Sequence, residues 1–239
     1  MTLRFVDTHC HFDFAPFAGD EAASIARAAA AGVEKIIAVG VSASRFEGVL
    51  ALAEQYQAVY AALGVHPMAI AEHQPHDLVT LEQHLQRRRN KLVAVGEIGL
   101  DLYIDNPQFD RQQTLLDAQL RLARDYDLPV ILHSRRTHDK LVQHLRRIDL
   151  PRRGVVHGFA GSEQQALAFI RAGYAIGVGG TITYERASKT RRAISRLPLT
   201  SLLLETDSPD MPLQGFQGEP NRPERVKNCL LYTSPSPRD

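Results

Sequence analysis

Short runs of Val, Ile and Leu recur along the chain, separated by longer polar–apolar stretches of helical period. The runs fall at residues 3–7, 35–41, 59–65, 92–97, 129–133, 154–157, 174–178 and 202–206. Most are apolar on both faces, the pattern of strands buried in a parallel sheet. Over 110–126, Leu116, Leu120 and Ala123 share one face of a predicted helix, and over 44–57 Phe46, Val49, Leu50 and Ala53 do the same. Ser44 and Ser162 stand where helix N-caps belong, and Gly32 and Gly173 where helices end. Eight strands, each followed by a helical stretch, predict one α/β domain, a TIM-type (β/α)8 barrel. An open doubly wound sheet is the competing arrangement. No glycine-rich dinucleotide fingerprint follows the first strand, which disfavours it.

The end of the chain breaks the pattern. The string Cys229-Leu230-Leu231-Tyr232-Thr233-Ser234-Pro235-Ser236-Pro237-Arg238-Asp239 reads like a translated sequencing-library adapter. The expectation is a barrel over 1–227 and a non-native tail over 228–239. The last helix of the ring, starting near Arg222, would then be almost wholly missing.

Composition narrows the field. The 239 residues carry 28 Lys and Arg against 27 Asp and Glu, a net charge of +1, so the chain shows no overall nucleic-acid footprint. Arg87-Arg88-Arg89 is basic but precedes the fourth strand, which puts it at the bottom of a barrel as a solvated helix end. No apolar run is long enough to span a bilayer, and the N-terminus lacks signal-peptide zones. A soluble cytoplasmic protein with no membrane contact is expected. Two cysteines, Cys10 and Cys229, do not make a disulfide framework.

Candidate chemistry gathers at one set of strand ends. Alternate residues of a strand share a face, so His9 and His11 point together and Cys10 points away into packing. Barrels place their chemistry at the C-terminal strand ends. There the fourth run ends in Glu97, the fifth in His133, the sixth in His157, and the eighth leads into Glu205-Thr206-Asp207. Six candidate ligands exceed one tetrahedral site, so two divalent ions are expected. The assignment is His9, His11, Glu97 and Asp207 on one, with Glu97 bridging to His133 and His157 on the other. Zinc, manganese or magnesium (Zn2+, Mn2+ or Mg2+) suits such a set. Glu205, two residues deeper, reads as an orienter of a histidine or as a structural group. His66, in Gly64-Val65-His66-Pro67, reaches the same rim, either as a substrate or proton-transfer candidate or as a support behind the ligands. His73, His76, His84, His138 and His144 read as solvated surface.

The motifs Asp7-Thr8-His9-Cys10-His11-Phe12-Asp13, Gly64-Val65-His66-Pro67, Gly96-Glu97-Ile98-Gly99-Leu100-Asp101, His133-Ser134-Arg135, His157-Gly158-Phe159 and Glu205-Thr206-Asp207-Ser208-Pro209 together resemble the TatD family of metal-dependent hydrolases and deoxyribonucleases. The resemblance covers nearly the whole chain before the tail. It implies a TIM-type barrel, the same six ligands and hydrolysis of phosphate esters. Several members act on DNA from the 3′ end, so a 3′–5′ deoxyribonuclease is expected. Glu97 and Asp207 are its catalytic pair, with Asp207 holding a water activated between two metal ions. Single-stranded DNA or another phosphate ester is the expected partner, and no protein partner is predicted. Asp101, Tyr103, Arg135, Arg136 and Arg222 join His66 as substrate-side candidates. The alternative is an amidohydrolase-type enzyme acting on an amide, lactone or other small ester. Many such barrels bridge their metals with a carboxylated lysine on strand four. Here Glu97 holds that place and Lys91 lies at the wrong end of the strand. A purely structural metal site is disfavoured, because the ligand set lacks cysteine and opens onto a rim.

Overall fold

The computed structural model describes residues 3–87 and 90–233, so Arg88, Arg89 and positions 234–239 of the expected tail lie outside the described residues. Eight strands form one sheet: β1 (Phe5–Cys10), β2 (Val33–Val39), β3 (Val59–Leu63), β4 (Leu92–Asp101), β5 (Val130–Arg135), β6 (Gly154–Val156), β7 (Ala175–Val178) and β8 (Leu202–Leu204). Each pairs in parallel with the next, in chain order. The ends of the sheet meet. Thr8 Oγ1 donates to the Leu204 carbonyl at 2.9 Å, the Asp207 amide to the His9 carbonyl at 2.9 Å, and the His11 amide to the Ser208 carbonyl at 2.7 Å. The result is the TIM-type barrel that the strand pattern predicts.

Helices alternate with the strands: α1 (Glu21–Ala30), α2 (Phe46–Gln55), α3 (Pro75–Gln86), α4 (Phe109–Asp125), α5 (His138–Arg147), α6 (Glu163–Arg171), α7 (Ser188–Ser195) and the short α8 (Val226–Cys229). Strand alternation divides the core in two. Ile36, Ala38, Leu132, Val156 and Ile176 pack with the helices, while Val39, Ala62, Ala94, Ile131 and Val155 form a separate cluster inside the barrel. Cys10 belongs to the helix-facing layer, away from the His9–His11 face. Among the described residues no helix is long and apolar enough to cross a membrane.

Local signals act as their chemistry requires, with exceptions. Ser162 caps α6 in a reciprocal box with Gln165, and Gly32 and Gly173 follow α1 and α6 with φ of 89° and 90°. Ser44 does not cap α2. It lies within a 3-10 turn, Ala43–Arg45, and its hydroxyl pairs with Ser42 instead. The strand β4 runs four residues past Glu97, because Ile98–Asp101 pair with Leu132–Arg135 of β5. By contrast β8 stops at Leu204. Beyond it, Glu205 and Asp207 donate to Val178 and His9 as single ties outside the regular ladder.

Three histidines read as solvated are buried: His84, His138 and His144. Helix packing supplies the reason. His84 sets its ring edge-on to Phe46, and His138 does so to Phe159. His144 lies 2.6 Å from Asp117 and 3.2 Å from Gln113, bridging α5 to α4. His73 is half-buried beside Asp77, and His76 is exposed. Cys229, set aside with the tail, is fully buried against Val178, Ile182 and Ile194.

Candidate active site

The C-terminal strand ends deliver their polar side chains to one point. His9 comes from β1, Glu97 and Asp101 from β4, and His133 from β5. His11, His66, His157, Glu205 and Asp207 lie just past β1, β3, β6 and β8. Glu97 sits at the centre, only 1% exposed. Its two oxygens face different groups. Oε2 is 3.1 Å from His9 Nε2 and 3.6 Å from His11 Nε2. Oε1 is 2.9 Å from His66 Nε2, 3.0 Å from His133 Nδ1 and 2.7 Å from His157 Nε2. Asp207 Oδ1 completes the first group at 3.3 Å from both His9 and His11.

All six expected ligands therefore meet. Three sets of donor atoms lie close enough to hold an ion: His9, His11 and Asp207; His66, Glu97 and His133; and His9, His157 and Glu205. His66 thus stands beside Glu97 among the donors, closer in than a rim position at the substrate would be. Its signal in the sequence was present in Gly64-Val65-His66-Pro67, but no spacing rule separated ligand from substrate contact.

A further layer fixes the rings. His133 Nε2 lies 2.8 Å from Asp101 Oδ2, and Asp101 Oδ1 accepts from the Tyr103 amide at 2.7 Å. Glu205 is fully buried, 3.6 Å from His157 Nδ1, and accepts from the Gly158 amide. Its carboxylate fits because Gly177 has no side chain: a Cβ there would come within 2.5 Å of Glu205 Oε2. Asp7, which the sequence offered only as part of a strand end, is also fully buried. It accepts from the Thr206 amide at 2.9 Å and the Thr206 hydroxyl at 2.5 Å.

Electrostatics reflect the crowding. Burial and the neighbouring His157 push the His9 imidazole down, but Glu97 and Asp207 outweigh both and hold its pKa up at about 9. Burial likewise opposes charge on His157, yet Glu97 and Glu205 raise it well above the ordinary value. Burial also works against ionised Glu97 and Asp207. The histidines around them prevail and hold both well below the usual carboxylate range. Burial lowers His66, and it raises Asp7 to about 7 against the pull of Thr206. An imidazole must be neutral to hold a metal, so cation binding at His9 and His157 would displace protons.

The residues fit divalent metal ions. Among the described residues, His9 Nε2, Glu97 Oε2 and Asp207 Oδ1 are buried polar atoms without a well-aligned hydrogen bond. Such atoms are costly to bury unless something coordinates them. Imidazole mixed with carboxylate is the donor set of zinc and manganese, and of magnesium where waters complete the shell.

The substrate-side candidates divide. Arg135 and Arg136 are exposed and stack over the Tyr103 ring, with guanidinium carbons 3.6 and 4.6 Å from its centroid. They adjoin the cluster through Tyr103, Asp101 and His133. Arg222 lines a hollow with Pro16, Asp20 and Arg27 beside α1.

An eight-stranded barrel with histidines and carboxylates converging at the strand ends is the architecture of a metal-dependent hydrolase. Comparison with known proteins narrows the class. The model of the family "TatD related DNase" matches residues 6–234, and the chain belongs to this TatD family. It is 68% identical over 241 residues to the uncharacterized metal-dependent hydrolase YjjV of Escherichia coli K12, covering 99% of this chain and 93% of that protein. The crystal structure of the same E. coli protein superposes with a TM-score of 0.95 at 66% identity, covering 98% of this chain and 90% of the other. A human relative, "Deoxyribonuclease TATDN3", is 31% identical over 233 residues, covering 91% of this chain and 83% of its own length.

Proposed function

We propose that the protein is a phosphoesterase holding two divalent cations, and that it removes nucleotides from the 3′ end of single-stranded DNA. The observation that carries this reading is the division of Glu97, with Oε2 toward His9 and His11 and Oε1 toward His66, His133 and His157. One carboxylate between two donor groups suits a pair of cations, and it needs no carboxylated lysine. The human relative named a deoxyribonuclease supports the choice of substrate.

Bound divalent cations supply an acidified water and offset charge on the phosphoryl oxygens. The chain's own groups do the rest. Asp207 Oδ1, buried and lacking an aligned donor, accepts the proton of the attacking water. Asp101 and Glu205 keep the His133 and His157 rings turned toward Glu97. Arg135 and Arg136, spread over Tyr103, bind a phosphate of the substrate strand.

The test is hydrolysis of 3′-ended single-stranded DNA, with lactones and amides as competitors, by chelated and by metal-restored protein. Turnover is expected on DNA alone, only with metal, and at background for Glu97→Ala. Metal-dependent turnover of a lactone or amide but not of DNA would replace this reading with the amidohydrolase one. Unchanged turnover by Glu97→Ala would remove the mechanism.

A further inference from the structure

The rim around Glu97 has two unlike sides. Toward β4 and β5 stand Arg135, Arg136 and Tyr103, a cationic shelf. Toward β1 and β3 lies a cavity of about 520 Å³, lined in part by His11 and His66, so it opens directly onto the metal-binding cluster. Its volume is that of a small-molecule site. Its walls are largely carbon, from Phe14, Val41, Met68 and Pro209. Besides the two histidines, its polar side chains are Ser42, Glu72 and Asp210, and among the described residues no lysine or arginine lines it.

This composition selects an occupant. Away from the two histidines, the Glu72 and Asp210 carboxylates repel a phosphate. A hydroxyl and two carboxylates can accept hydrogen bonds from N–H groups. The Phe14 ring in an otherwise aliphatic lining favours a planar ring as its partner. The walls are also fixed to the reactive centre. The Met68 amide donates to His66 Nδ1 at 3.0 Å, while His66 Nε2 is 2.9 Å from Glu97. The Phe14 ring lies edge-on to His11 at 5.9 Å and is covered by the Arg45 guanidinium at 3.7 Å. Arg45 is held in turn by the Asp13 carboxylate at 2.6 Å. Met68 is 66% exposed, an apolar side chain left at the mouth of the cavity. A flexible thioether suits contact with a ring edge or face.

We infer that this cavity is a nucleobase site, taking the base of the terminal nucleotide between Phe14 and Met68 while its phosphate lies at the Glu97 cluster. The inference rests on the nuclease reading above and adds a direction to it. The remaining strand leaves over Arg135, Arg136 and Tyr103, and the terminal base turns the other way, into the acidic apolar cavity. Ser42, Glu72 and Asp210 meet the exocyclic amino groups of the base.

The test is equilibrium binding to the metal-loaded protein, which needs no turnover. The probes are deoxyadenosine 5′-monophosphate and deoxyribose 5-phosphate, which share the phosphate and differ at C1′, adenine against a hydroxyl. The nucleotide is expected to bind about tenfold tighter or more, the effect of one stacked base. Met68→Ala should erase most of that preference while leaving deoxyribose 5-phosphate binding unchanged, and at this exposed position the side chain carries no core packing. Phe14→Ala should act in the same direction. Equal affinity for the two probes, or a preference that Met68→Ala leaves intact, would overturn the inference. DNA hydrolysis is measured separately on the same preparations: its absence would count against the nuclease reading, while the two affinities alone decide the base site.

Discussion

The wall made by β4 and β5 and the seam where β8 meets β1 both present candidate ligands, by different physical means. Along the wall, the ladder runs from Val95 opposite Val130 to Asp101 opposite Arg135, and Ile98, Leu100 and Leu132 are fully buried around it. Glu97 and His133 project from the middle of this packed pair. At the seam, one isolated bridge, Cys10 to Ser208, joins the strands. Val6 is 39% exposed, and Leu202 and Leu204 are only half-buried. Glu205 and Asp207 lie past the end of β8, and polar ties place them. Asp7 holds Thr206 by its amide and hydroxyl, and the Ser208 hydroxyl donates to Thr206 Oγ1 at 2.6 Å. Asn221 Nδ2 donates to the Thr206 carbonyl at 2.8 Å. Apolar packing holds position without fixing direction. Hydrogen bonds fix direction, and the seam uses them to aim Asp207 where apolar cover is thin.

The largest effect is expected on the packed side. Leu132→Ala deletes a fully buried side chain one residue before His133, and it should cost about 2–5 kcal/mol of stability. Because the same backbone carries His133, metal affinity should fall with it. Chemical denaturation and a metal titration measure the two. A loss below about 1 kcal/mol would show that packing does not carry this wall.

The seam should answer to polar substitutions instead. Asp7→Ala leaves the buried Thr206 amide and hydroxyl without their acceptor, a cost of roughly 2 kcal/mol. Thr206 precedes Asp207, so metal affinity should weaken as well. A double-mutant cycle with Thr206→Val separates this tie from general damage. Residues sharing one hydrogen bond couple, so the two losses should fall short of additive. Strictly additive losses would dissolve the distinction between the two regions.

The sequence made the wall more legible than the seam. Runs of Val, Ile and Leu ending in Glu97 and His133 marked β4 and β5, because a strand buried on both faces must be apolar throughout. The extension of β4 to Asp101 was hidden, since Glu97, Gly99 and Asp101 interrupt the apolar pattern there while the backbone continues to pair with β5. Asp207 was legible as a candidate ligand by its place after an apolar run. Asp7 was not legible as its support, because nothing local shows that a carboxylate will meet Thr206 across 199 residues. The buried His84, His138 and His144 were missed for the same reason: their partners Phe46, Phe159 and Asp117 come from other elements. Phe14 and Met68 carried no signal either, for a cavity wall is assembled by loops after different strands.

The smallest effect should come from repeating the first substitution on the other side. Leu204→Ala removes the same atoms as Leu132→Ala, from a half-buried position on β8 that packs beside Cys229, Ile182 and Ile194. Part of that side chain already meets water, so less transfer free energy is lost and the space left is open to solvent. The expected cost is about 1 kcal/mol, below the fully buried range. Metal affinity should stay unchanged, because Asp207 is aimed by Asp7 and Asn221 through Thr206 and not by the Leu204 side chain. Equal losses for the two leucines in matched denaturation curves would mean that the seam is as well packed as the wall. The polar ties at Thr206 would then be redundant with packing, and Asp7→Ala should in that case lose its effect on metal binding as well.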